Sequence, residues 1–87
     1  MMNPVLAEYL GTTVFLSSTV FLGTPLAIAG TLFLVILVIG KVSGGHVNPA
    51  KTLLAFLSGT LSQSKALSFV GAQVAAVLTV YLLKSRV

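Results

Sequence analysis

The sequence has no cysteine and no tryptophan, and Glu8 is its only acidic residue. Without cysteine there are no disulfides and no thiolate metal ligands. A lone carboxylate cannot supply an acid–base pair of carboxyl groups. The single histidine, His46, has no aspartate to join it in a Ser–His–Asp set and no companions for a metal cluster. No catalytic residue, metal or cofactor is therefore expected. Charge is scarce: 7% of residues are charged, against about 25% in soluble domains. With 56% hydrophobic residues, this is not the composition of an ordinary soluble domain. At 87 residues the chain is one domain at most. The net charge of +4 comes from five scattered Lys and Arg with no interleaved aromatics, so no nucleic-acid partner is expected. The opening residues lack the basic start and cleavage pattern of a secretory signal, and Glu8 stands where such a signal would be basic.

What the chain does have is long apolar runs. After a lead-in over residues 1–4, residues 5–22 read as a membrane helix of roughly 27 Å, enough for a hydrocarbon core with slight thinning. Glu8, Thr12, Phe15 and Thr19 share one face of it, which is placed inward. The hydroxyls of Ser17, Ser18 and Thr19 can return to carbonyls one turn back. Gly23-Thr24-Pro25 breaks the run, and so short a link implies antiparallel neighbours. Residues 26–40, apolar but for Thr31, form a second span, with Lys41 marking its exit. Residues 59–64 read as a polar surface turn and 66–83 as a third span. Gly71, Ala72, Ala75 and Ala76 form a small-residue patch on that span, and Gly71, Ala75 and Gly11 are expected to pack helices closely.

The stretch from Ser43 to Ala50 interrupts the apolar sequence with Gly44, Gly45, His46 and an Asn-Pro pair. Asn48 is a good helix cap, and Pro49 suits the first helical position. The helix over residues 49–58 would be roughly 15 Å long, half of a bilayer core. A half-helix with a polar lead-in is tolerated at membrane depth only where it is buried in protein or lines a water-filled path. The predicted fold is therefore an all-α, multi-pass integral membrane protein. It has three transmembrane helices plus one re-entrant half-helix, with the termini on opposite sides.

Ser43-Gly44-Gly45-His46-Val47-Asn48-Pro49-Ala50 resembles the Asn-Pro-Ala box and lead-in of the aquaporin and aquaglyceroporin family. Ala7-Glu8 with Gly11-Thr12 and Phe15 resembles that family's first helix, residues 26–40 its second, and Ala72-Gln73 its third. The resemblance covers the chain as one half of the family fold. Members carry two such halves in inverted orientation, whose half-helices meet at the midplane. It therefore implies a second, inverted copy of this chain as partner, in an antiparallel homodimer or larger homo-oligomer of dual topology. The implied function is a passive membrane channel for water, with small neutral solutes such as glycerol or ammonia as further candidates. A half-channel needing a different second half and a holin-like small permeabilising protein are the alternatives.

The resemblance also implies roles. Asn48 would hold its half-helix with its oxygen and offer its NH₂ to the permeating molecule. Gly44, Gly45 and His46 would present carbonyls to the path. Lys51, three residues after Asn48, stands where the second half of family members has a filter arginine. The remaining filter positions carry over to Ile28, Ile36 and Gly45. Glu8 and Gln73 would brace the loop together with Pro49 and Ala50.

Overall fold

Three of the helices open on a polar capping residue followed by proline. Asn3, Thr24 and Asn48 lie in extended backbone and accept a main-chain N–H on the side chain; Pro4, Pro25 and Pro49 follow at the first helical position. A side-chain acceptor there satisfies one of the orphan donors of the first turn, and proline has none to satisfy. The computed structural model describes residues 2–87, so Met1 of the lead-in lies outside the described residues. The elements are α1 (Pro4–Ser17), α2 (Pro25–Ser43), α3 (Pro49–Leu57) and α4 (Gln63–Ser85).

The elements differ in detail from the sequence expectation. Helix α1 begins one residue early and ends in a π-helical turn, Ser18–Leu22, so that the Gly23 N–H reaches the Ser18 carbonyl at 3.0 Å. Ser18 and Thr19 give their hydroxyls to the carbonyls of Phe15 and Leu16, both at 2.6 Å. Those acceptors are thereby shared with side chains, a loosening that suits a wider turn. Helix α2 runs to Ser43 rather than residue 40. Lys41 is compatible with the negative end of a helix, and what stops α2 is Gly44 at φ 95°. Helix α3 ends at Leu57, with Ser58 as its cap. The turn expected over residues 59–64 is shorter, because Ser62 caps α4 by accepting the Lys65 N–H at 3.1 Å.

Pro4–Leu22, Pro25–Ser43 and Gln63–Ser85 are long and apolar enough to cross a membrane; α3, at nine residues, is not. Helix α1 is central, packed against both α2 and α4, and α3 lies against α4. The core is small, built on Ala7, Val35, Ile39 and Val47. Leu26, Leu37 and Leu78 point outward, as in a protein whose solvent is lipid.

Gly11 sets how closely α1 approaches α2 and the loop. A Cβ there would stand 2.7 Å from Ile39 Cδ1, 3.0 Å from Val35 Cγ1 and 3.2 Å from Val47 Cγ1. Gly71 has nothing within 4 Å of such a position, and it and Ala75 are exposed on the outer side of α4. Of the small-residue patch, only Ala72 and Ala76 pack inside the chain. Gly11→Leu is expected to lower stability by about 1–3 kcal/mol through overpacking. Gly71→Leu should leave it within about 0.5 kcal/mol, as for most surface changes. Thermal unfolding of the detergent-solubilised chain checks both.

Candidate functional site

Glu8 organises the loop between α2 and α3. The carboxylate is fully buried and meets only donors. Its Oε2 accepts the Ser43 hydroxyl at 2.6 Å and the His46 N–H at 3.0 Å; its Oε1 accepts the Val47 N–H at 2.7 Å and Gln73 Nε2 at 3.1 Å. One side chain of α1 thus fastens the end of α2, two successive loop amides and the middle of α4. Four donors on two oxygens fill a carboxylate's acceptor sites.

A second layer completes the bracing. Gln73 Nε2 also donates to Thr52 Oγ1 at 2.9 Å, and that hydroxyl lies 2.9 Å from His46 Nδ1. Thr52 accepts from Gln73 and its hydroxyl links that amide to the His46 ring. The ring meets Phe69 of α4 edge-on, with centroids 5.3 Å apart. Gln73 Oε1 and Thr12 Oγ1 are buried with no partner among the described residues, so the Gln73 amide is oriented by its nitrogen.

The loop holds an unfavourable backbone. Val47 has φ 45°, a left-handed conformation that a β-branched residue rarely adopts. It persists because its N–H is bound to Glu8 and its side chain is buried beside Gly11. Gly45, at φ 63°, is pressed against α2, where a Cβ would meet Ile36 Cγ2 at 3.3 Å.

These bonds also fix depth. Gln73 stands ten residues into α4, about 15 Å from its start and near the middle of that helix. The loop is tied to that level through Glu8, and α3 then covers about 13 Å back toward the start of α4. The Asn48 end of α3 therefore lies level with the middle of α4. Asn48 Oδ1 accepts the Ala50 N–H at 2.8 Å, and Nδ2 has no partner among the described residues.

The exposed side of this loop forms a groove of about 290 Å³. Phe15 and Leu16 of α1 and Leu32 and Ile36 of α2 make its apolar wall; His46, Val47, Asn48, Pro49 and Lys51 make the other. Ile28, Gly44 and Gly45 are not part of the groove lining, and Ala50 is exposed at the start of α3. Lys51 turns back on the loop and donates to the Gly45 carbonyl at 3.1 Å, so that carbonyl is engaged within the chain. Ser43, Val47, Thr52 and Phe69 also belong to the site; sequence reasoning had Ser43 and Val47 inside the stretch from Ser43 to Ala50 without a role, and did not single out Thr52 or Phe69. Thr52 carried a signal, as the one polar residue besides Lys51 on the stub and one turn after Asn48.

Replacing Glu8 by Gln puts an amide NH₂ among donors and leaves two or more of them without acceptors. Glu8→Gln is expected to destabilise the fold by roughly 2–4 kcal/mol, since each buried unsatisfied donor costs 1–3. A lower unfolding midpoint in detergent and faster amide hydrogen exchange at His46 and Val47 would show it; unchanged protection would remove Glu8 from this role.

The chain matches the major intrinsic protein family over residues 1–87. It is 42% identical to aquaporin PIP2-4 of Oryza sativa subsp. japonica over 52 residues, covering 60% of this chain and 18% of that protein. It is 46% identical to aquaporin TIP1-2 of Zea mays over 52 residues, 60% of this chain and 20% of that protein. It is 30% identical to probable aquaporin PIP2-8 of Arabidopsis thaliana over 86 residues, 79% of this chain and 31% of that protein. The chain thus spans less than a third of the length of each of these relatives. No solved structure matches it. A family match that runs through every residue, on a chain with three membrane-crossing helices, makes this an integral, multi-pass membrane protein belonging to the major intrinsic protein family.

Proposed function

We propose that the chain is one half of a passive water channel, completed by a second copy inserted upside down. The observation that carries this is the Asn48 end of α3, exposed in the single chain yet tied to the level of the middle of α4. Lipid at that depth would leave the Asn48 amide and the Lys51 ammonium unsatisfied, at a cost of several kcal/mol. An inverted copy would bring a second Asn48 to the same level and close the groove over a water path, as in inverted-repeat transport proteins.

The spread of charge supports both insertions: the basic residues are divided between a Lys41 and Lys65 side and a Lys84 and Arg86 side expected from the sequence, so they would set no orientation. Water between two Asn48 amides accepts from both and turns its own hydrogens outward, which breaks a proton chain. The positive ends of the two α3 helices face the same point and repel cations. At the groove wall the aliphatic Ile36 takes the place of a filter aromatic, so small neutral solutes such as glycerol or ammonia are candidates beside water.

The short coverage of the relatives favours one other arrangement, a different chain as second half. The purified chain alone, in lipid vesicles, separates the two. Osmotic shrinkage should be faster than in empty vesicles, with sucrose excluded. Asn48→Ala should slow it and cost about 1 kcal/mol of helix capping. Lys51→Ala should raise glycerol passage relative to water. Shrinkage no faster than in empty vesicles would reject the homomeric channel, and sucrose leakage would indicate an unselective hole.

A further inference from the structure

A second and larger groove, of about 460 Å³, runs between α1 and α2. Leu10, Gly11 and Val14 line it from α1, and Leu34, Val35 and Val38 from α2. It shares no residue with the Asn48 groove. Val14 and Leu16 are two residues apart on α1, as are Ile36 and Val38 on α2, so the two grooves open on opposite sides of the helix pair. Thr31, at the inner end, gives its hydroxyl to the Ala27 carbonyl at 2.7 Å, which leaves the lining without a free polar hydrogen. A cation stands at the other end. Leu34, Val38 and Lys41 follow at spacings of four and three along one stripe of α2. Lys41 is exposed in the last turn, and no acceptor meets it among the described residues. From Thr31 to Lys41 the helix rises about 15 Å, the share of one leaflet in a ~30 Å hydrocarbon core.

We infer that this groove holds an acyl chain of an anionic phospholipid whose phosphate rests on Lys41. An apolar trough with a single cation at its end is the complement of an amphiphile with an anionic head. A second copy of the chain cannot supply that charge, because Glu8 is the only acidic residue and is fully buried. Surrounding lipid tails are as apolar as the groove, so burial alone selects no occupant. The groove sets where the acyl chain lies, and Lys41 sets which headgroup it carries. The site does not depend on the proposed channel, since it lies on the side away from Asn48.

Native mass spectrometry of the detergent-solubilised full chain counts bound lipids, with phosphatidylglycerol and phosphatidylcholine of the same acyl chains added in turn. The wild type should hold one phosphatidylglycerol about fivefold more tightly than phosphatidylcholine, the worth of one basic residue near an anionic headgroup. Lys41→Gln should abolish that preference, and Lys65→Gln, at the start of α4, should keep it. Val38→Phe, which fills the groove from an exposed position, should weaken both lipids. Glycerol 3-phosphate, which has the charge without the acyl chains, should not displace the lipid. Equal affinity of the wild type for the two lipids, a preference that survives Lys41→Gln, binding untouched by Val38→Phe, or displacement by glycerol 3-phosphate would overturn the site. The two-lipid comparison needs only the wild type, so it decides even if a variant does not fold. Water flux in vesicles tests the channel separately: flux without lipid preference removes this site alone, and preference without flux removes the channel while the site stands.

Discussion

A carboxylate inside a membrane protein is costly to keep, and here it is kept because every contact it makes is with a donor. Glu8 draws together parts of the chain 35 to 65 residues apart in sequence: the end of α2, the loop amides and the centre of α4. Without it, His46 and Val47 would present bare N–H groups at a depth where no solvent can receive them. The left-handed Val47, the close approach at Gly11 and the inward direction of α3 all depend on that attachment. The loop is therefore an extension of α1 and α4, held by side chains in place of a regular backbone ladder.

The next layer fixes direction. Gln73 serves Glu8 and Thr52 with one nitrogen, and Thr52 passes the order on to the His46 ring against Phe69. Because these partners sit at the middle of α4, the Asn48 end of α3 lies level with it and carries the polar groups, and the other end carries Leu57 and the turn to Ser62. A stub of nine residues acquires a defined depth from three hydrogen-bonded side chains. On the proposed assembly, that depth is where two copies share one path.

Much of this was legible in the sequence because each clue was a local one. Asn48-Pro49 announces a helix start wherever it falls, and an apolar run interrupted once announces its own break. Glu8 on an apolar helix pointed inward, and the family resemblance supplied a reason for it. Helix ends were less legible. Lys41 looked like an exit, but the chain turns only where Gly44 takes a left-handed backbone. The π turn depends on Ser18 and Thr19 competing for carbonyls, which sequence suggests without saying how the ladder responds. Val47 and Phe69 were invisible for a different reason. Their roles exist only once α1, the loop and α4 are packed, and nothing in an apolar residue's identity marks it as a partner of Gly11 or His46.

The central claim is geometric: two copies meet at the Asn48 ends of α3 while running in opposite directions. The native chain has no cysteine, so single engineered cysteines report distance cleanly. A bridge forms only when the Cα atoms come within about 7 Å. The decisive measurement is oxidative cross-linking of the membrane-embedded chain carrying either Ala50→Cys or Ser85→Cys. The account predicts a covalent dimer from Ala50→Cys and none from Ser85→Cys, because the inverted copies place their α4 ends on opposite membrane faces. A dimer from Ser85→Cys with none from Ala50→Cys would contradict it.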